Sequence, residues 1–273
     1  MKKISIAVLS LSVIFFTATI FSSCAKKKSN EVIVKIGVNG DMHPQWAKIT
    51  EIVAKKGIKI ELVKFGDYVQ PNAALNSGEI DLNAFQHYAY LNNEIKTKGY
   101  KIVPIAKTII APIGLYSKKI KDVKELKKGD SIAIPNDVVN GGRALLVLQT
   151  GGVIKISPTG GALPNKSDII SNPLNIKLIE VEAAQTPRLL DDVTAAFING
   201  GHAVDAGINP ARDSLLLERQ IEGQENPYIN IIAAREADKD NPVYKEIIAV
   251  YHSPEVKEVI LKEFKGAYQP AWD

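Results

Sequence analysis

Residues 136–143 read Asn-Asp-Val-Val-Asn-Gly-Gly-Arg and lie between an apolar run at 131–135 and a helical pattern at 142–150. Glycines at a helix start free backbone N–H groups for an anion. Arg143 adds a planar guanidinium suited to a carboxylate. The segment is not a nucleotide-phosphate loop, because its glycines are too few and no Lys-Ser or Lys-Thr follows. Phe65-Gly66-Asp67-Tyr68 and Phe85-Gln86-His87-Tyr88-Ala89-Tyr90 each close a short apolar run. Rings at such positions supply flat apolar walls with a polar edge. Asn199 follows the run 195–198, and Asn230 lies inside the run 228–234. An amide both donates and accepts, so it can read an α-ammonium and an α-carboxylate. Taken singly, each residue has an ordinary reading as a surface arginine, a core ring or a turn asparagine. Only their convergence would make a site.

Other chemistries find little support. His43, His87, His202 and His252 include no i, i+4 pair, so their spacing builds no metal site and implies no metal cofactor. Ser and His occur without a nucleophile-elbow sequence, and no cysteine is available for thiol catalysis. Glu79-Ile80-Asp81 beside Gly78 reads as a turn at a helix end. The expectation is a protein that is not an enzyme. The 34 Lys and Arg against 30 Asp and Glu give a net charge of +4. Loss of residues 1–23, which contain Lys2, Lys3 and no acid, takes this to +2. So balanced and scattered a charge excludes nucleic acid as the partner.

The elements that must position the candidates alternate along the chain. Strands are predicted at 32–38, 58–65, 82–85 and 101–107, with helices at 45–55, 69–77 and 88–97. Gly78 ends the second of these helices. This βαβαβ run implies a mainly parallel sheet. Residues 113–117 read as a strand crossing into a second α/β unit. That unit has strands at 131–135, 176–180 and 195–198, helices at 142–150 and 187–192, and a Gly- and Pro-rich loop at 151–165. The strand 228–234 returns to the first unit. Two helices, 242–252 and 254–264, each open on a proline. The expected fold is two doubly wound α/β lobes joined by two crossover strands. Lobe 1 comprises 31–112 and 229–273, and lobe 2 comprises 113–228. Ligands in such sheets sit at the C-terminal ends of strands, here in a cleft between lobes.

The N-terminus carries its own signal. Lys2 and Lys3 precede an apolar run from Ile4 to Ile20, and Phe21-Ser22-Ser23 precedes Cys24. This layout is that of a signal peptide over 1–23 ending in a lipobox, with Cys24 as the acylated new N-terminus. Residues 24–30 read as a tether. Acyl chains on Cys24 would hold a soluble body at the extracytoplasmic face of a membrane.

With those residues in view, the chain resembles the methionine-binding lipoproteins of ABC importers, the NlpA lipoprotein family. The resemblance rests on Phe65 through Leu75, Gly78 through Asp81, Phe85-Gln86-His87 and Ala111 through Ser117. It continues through Ala133 through Asp137, Gly141 through Leu145, Leu189 through Asp192, Ile198-Asn199-Gly200 and Asn226 through Asn230. It implies a two-lobed periplasmic-binding-protein fold of type 2, monomeric and without cofactors. The implied task is to capture methionine between the lobes and deliver it to a permease with its ATPase. Arg143 then matches the arginine that holds the carboxylate, and Asn199 and Asn230 match asparagines on the amino-acid head group. Tyr68, Phe85, His87 and Tyr90 match the wall around the thioether. The chain departs from the pattern at Asn39-Gly40-Asp41-Met42, at Ala89 and by a missing residue between His43 and Gly57. D-methionine, a methionine-containing dipeptide, or a surface adhesin or signalling role are the alternatives.

Overall fold

The computed structural model describes residues 31–219 and 226–272; the expected signal peptide, Cys24 and the whole of the expected tether lie outside them. In chain order the elements are β1 (Val32–Asn39), α1 (Pro44–Ala54), β2 (Ile58–Phe65), α2 (Gln70–Ser77), β3 (Leu82–Asn83), α3 (Tyr88–Lys98) and β4 (Ile102–Ile110). There follow β5 (Gly114–Tyr116), β6 (Ser131–Pro135), α4 (Val138–Thr150), β7 (Lys155–Ile156), β8 (Ile169–Ser171), β9 (Lys177–Val181) and β10 (Ala195–Ile198). The chain closes with α5 (Gly200–Asp205), α6 (Pro210–Asp213), β11 (Leu216–Leu217), β12 (Ile229–Arg235), α7 (Pro242–Tyr251), α8 (Pro254–Phe264) and β13 (Gln269–Pro270).

Two sheets organise these elements. The first has the order β13-β4-β12-β3-β1-β2, and the second β11-β5-β10-β6-β9. Within the first, β2, β1 and β3 are parallel, while β12 runs antiparallel to both β3 and β4. The sheet is therefore mixed rather than mainly parallel. The cause is the returning strand β12, which inserts at the centre of the sheet, and β13, which adds antiparallel at its edge. In the second sheet β9, β6 and β10 are parallel, and β5 pairs antiparallel with β10. The segment expected as a crossing strand is thus an ordinary member of the second sheet, and the passage between sheets is made by residues 111–113.

Each sheet is buried on both faces. Val34, Ile36 and Val38 of β1 pack with Trp46, Ile49 and Val53 of α1 and with Ile247, Val256 and Ile260 of the C-terminal helices. The opposite face holds Leu75, Ile80, Leu91 and Ile231. The second sheet buries Ile132 and Ile134 beside Leu145 and Leu148 of α4 on one face, and Ala133, Ala196 and Ile198 beside Leu190 on the other. Burying side chains of this size stabilises a core by about 1.5–3 kcal/mol each, so the strand ends that carry polar residues are fixed by apolar strands behind them.

Two local differences from expectation bear on function. Helix α4 begins at Val138, four residues before the expected start at Gly142. Asp137 caps it by accepting from Asn140 N at 2.8 Å, so the glycines lie inside the helix and offer no free N–H groups to an anion. They serve close packing instead: a Cβ on Gly141 would lie 2.8 Å from Pro135 O, and one on Gly142 3.1 Å from Pro164 O. The expected helix at 187–192 is a 3₁₀ helix that starts earlier, at Ala183.

Candidate ligand-binding cleft

The parallel strands of both sheets run toward one cavity. Asn39 ends β1, Tyr68 follows β2, and Phe85 and His87 follow β3. From the second sheet, Asn140 and Arg143 sit on the helix after β6, and Asn199 follows β10. All of these residues, with Tyr90, Asn230, Gln45 and His202, line a space of about 780 Å³, counting its open mouth. That size is ordinary for a small-molecule cleft. The structure therefore brings Tyr68, Phe85, His87, Tyr90, Arg143, Asn199 and Asn230 together on one cavity.

The first-sheet wall is aromatic. Tyr68 lies 5.8 Å from Phe85 and 6.1 Å from Tyr90 between ring centroids, and Phe85 meets Tyr90 edge-on at 6.1 Å. Tyr90 Oη donates to Tyr68 O at 3.0 Å, which fixes the two rings relative to each other. Across the cavity His202 stacks on Tyr68 at 5.0 Å. Burial pushes the Tyr68 and Tyr90 hydroxyls well above the usual range, so both stay protonated donors.

His87 is the imidazole of this wall. Its Nδ1 accepts from Tyr90 N at 3.1 Å, which caps α3. That bond places the ring proton on Nε2, which faces Asn140 Oδ1 at 3.2 Å. Burial first, and then the Arg143 charge, hold its pKa down at about 3. His87 is thus a neutral hydrogen-bond donor across the physiological range. His43 and His202 are also lowered, chiefly by burial.

Asn140 is the hub of the polar side. Its Oδ1 accepts from His87 Nε2 at 3.2 Å, from Arg143 Nη1 at 2.9 Å and from Asn199 Nδ2 at 2.9 Å. Its Nδ2 donates to Asp137 Oδ1 at 3.1 Å and to Asp137 Oδ2 at 3.0 Å. Burial raises the Asp137 carboxyl, against the hydrogen bonds from Asn140 that favour its ionised form. Asn199 stands at the N-cap of α5 yet makes no capping bond, because its amide is turned toward Asn140.

Arg143 is not the surface arginine its helix position allows: its side chain is 1% exposed. Nor is it unpaired. Nε donates to Glu218 Oε1 at 2.9 Å and Nη2 to Glu218 Oε2 at 2.5 Å. The Tyr228 ring lies 4.3 Å from Cζ. Burial opposes the charge of Arg143, and Glu218 outweighs it, so the guanidinium is held firmly ionised.

Asn140, His202, Asn39, Gln45 and Glu218 escaped the sequence reading. Asn140 sits in a segment singled out for Arg143, and His202 is weighed in the sequence only as a metal ligand. In the segment Asn39-Gly40-Asp41-Met42, Asp205 Oδ1 accepts from Asp41 N and Met42 N at 3.2 Å each. Gly40 has φ +82°, and a Cβ there would lie 1.9 Å from Asp205 Oδ2, so this approach requires glycine. The described residues contain no group of His, Cys, Asp and Glu arranged to hold a metal ion.

Two α/β units with a cavity at their facing strand ends define a two-lobed periplasmic-binding fold. The model of the NlpA lipoprotein family matches residues 34–272, and the chain belongs to that family. It is 43% identical over 255 residues to the D-methionine-binding lipoprotein MetQ of Salmonella typhimurium LT2, covering 92% of this chain and 93% of that one. A Burkholderia cenocepacia nutrient-binding protein solved bound to methionine superposes with a TM-score of 0.83 at 44% identity, covering 88% of this chain and 100% of the other. Protein PG110 of Staphylococcus aureus gives a TM-score of 0.85 at 43% identity, covering 87% and 94%.

A pH prediction arises here. Because His87 titrates near 3, the affinity of the cleft for its ligand is expected to vary by less than about twofold between pH 5 and 8. Stability behaves differently. A histidine whose folded pKa is depressed contributes stability that is present above the unfolded value of 6.5 and is lost as pH falls from there toward 3. Titration calorimetry and thermal melts across that range check both halves. A sharp affinity loss between pH 7 and 5.5 would contradict the neutral donor.

Proposed function

We propose that this protein is the substrate-binding lipoprotein of an ABC importer, capturing methionine in the cleft and delivering it to a permease with its ATPase. In this reading it is a monomer anchored through acylated Cys24 on the extracytoplasmic side of a membrane, and it performs no covalent chemistry. Lobe 1 is 31–112 with 229–273, lobe 2 is 113–228, and they close on the ligand as a hinged clamp.

One observation carries the reading. Among the described residues, the buried side-chain polar atoms without a hydrogen-bond partner are Asn39 Oδ1, Gln45 Oε1, Tyr116 Oη, Asn199 Oδ1 and His202 Nε2. All but the tyrosine belong to residues lining this cavity. Buried polar groups are costly unless paired. The amide oxygens call for a donor, which an α-ammonium supplies with three N–H bonds. Arg143 makes three hydrogen bonds with its five N–H groups, leaving one N–H on each terminal nitrogen for a carboxylate. Tyr68, Phe85 and Tyr90 form the apolar end, where a polarizable thioether packs well. The relatives named for methionine binding support the same ligand.

The test is a thermal-shift series on mature protein refolded free of ligand. At one hundred times Kd, L-methionine adds about 2.7 kcal/mol, which for a chain of this size raises Tm by roughly 5–10 °C. Leucine is expected to give a far smaller rise. A shift only with D-methionine or a methionyl dipeptide would keep the mechanism and change the cargo. No shift with any of them would sink the proposal.

A further inference from the structure

We propose that Glu218 is a positioning residue that presents Arg143 to the ligand and ties it to the chain crossing between the sheets. The inference rests on the reading of Arg143 as the carboxylate-binding group. A guanidinium on a long, flexible stem recognises a carboxylate only when its plane and its in-plane rotation are both set. Tyr228, whose ring centre lies 4.3 Å from Cζ, covers one face of the guanidinium and limits its tilt. Glu218, accepting from Nε at 2.9 Å and from Nη2 at 2.5 Å, sets the rotation. Asn140 takes one N–H of Nη1. What is left is one donor on each terminal nitrogen.

Glu218 is itself anchored. It directly follows β11, and its N–H donates to Ile113 O at 3.0 Å. Its Oε2 also accepts from Ile113 N at 3.4 Å. Ile113 lies in the 111–113 passage from β4 of the first sheet to β5 of the second. The carboxylate therefore grips the ligand-facing arginine and the first crossing at once. It also neutralises a guanidinium buried to 1% exposure, so the charge of Arg143 is compensated whether or not the cleft holds a ligand.

A positioning role acts only through the forked geometry of Arg143, and a double-mutant cycle isolates that. L-methionine affinity is measured by titration calorimetry for the mature protein and for Glu218→Gln, Arg143→Lys and the double variant. Glu218→Gln keeps the side-chain size and loses the charge and one acceptor. It is expected to weaken binding about tenfold or more in the arginine background. In the Arg143→Lys background, where a point charge has no fork to orient, the same change is expected to alter affinity by less than about threefold. An equal loss in both backgrounds would reduce Glu218 to a structural residue and overturn the proposal. Tighter binding in Glu218→Gln would mean that Glu218 competes with the ligand, and unchanged binding that it does not position Arg143; either overturns the proposal. If Arg143→Lys alone leaves affinity unchanged, the parent reading of Arg143 fails and this one falls with it. Glu218→Asp, which keeps the charge on a shorter stem, carries the same cycle if Glu218→Gln does not fold.

Discussion

Arg143→Ala is expected to lower L-methionine affinity by roughly 100-fold or more, as removal of one partner from a buried, charge-assisted hydrogen bond does. The same change is expected to lower Tm, and this second effect follows from the structure alone. Read from sequence, Arg143 is a cleft residue with a carboxylate to hold and no partner of its own. In the structure it is the buried partner of Glu218, whose own side chain is only 14% exposed. Truncating the arginine leaves that carboxylate without its counterion, and breaking such a pair costs more than the pair contributes. The two effects separate in the double change Arg143→Met with Glu218→Gln, which removes both charges and conserves volume. Stability is expected to recover most of its loss, while binding stays absent. Calorimetry and thermal melts of the three proteins decide it. Full binding in Arg143→Ala would remove the carboxylate-holding role.

The difference between the two readings of Arg143 marks where sequence stops being informative. Strand ends were legible, because apolar runs followed by aromatic or amide residues at turns locate the C-terminal edge of a parallel sheet. Tyr68, Phe85, His87 and Asn199 reach the cavity for that reason, whereas Asn230 reaches it from the start of the antiparallel strand β12. Pairings over long separations left no local mark. Glu218 lies 75 residues from Arg143, and the two-residue strand β11 that it follows has no periodicity to read. The same holds for the antiparallel pair of β7, inside the glycine- and proline-rich stretch read as a loop, and β8, just beyond it. Gly141 and Gly142 misled for a different reason. They read as a helix start that offers N–H groups to an anion, but they are glycines because Pro135 O and Pro164 O pass too close for a Cβ. The mixed order of the first sheet was equally out of reach, since nothing in β12 states that its central position runs antiparallel to its neighbours.

Asn140 makes the strongest case for the cleft as one connected network. Asn140→Leu keeps the shape of the side chain and deletes its hydrogen bonds. His87 Nε2, Arg143 Nη1 and Asn199 Nδ2 lose a shared acceptor, and Asp137 loses a side-chain donor. Each buried group left unpaired costs about 1–3 kcal/mol. Even with partial relaxation the sum is about 3–5 kcal/mol, or a Tm lower by roughly 8–15 °C. Binding is expected to fail too, because the same oxygen orients groups from both sheets. Asn140→Asp distinguishes loss of the acceptor from loss of the donor. It restores an oxygen to the three donors but sets a second carboxyl about 3 Å from Asp137, at the place of the Nδ2–Oδ2 contact of 3.0 Å. Two carboxylates that close cannot both ionise, so one pKa rises in the folded state. A carboxyl with a raised folded pKa makes stability fall as pH climbs above the unfolded value of about 4. The Asn140→Asp protein is therefore expected to melt close to the unsubstituted one at pH 5 and well below it at pH 8. The Asn140→Leu protein is expected to stay low at both. Parallel pH profiles for the two variants would mean that Asn140 fills space rather than holding the network together.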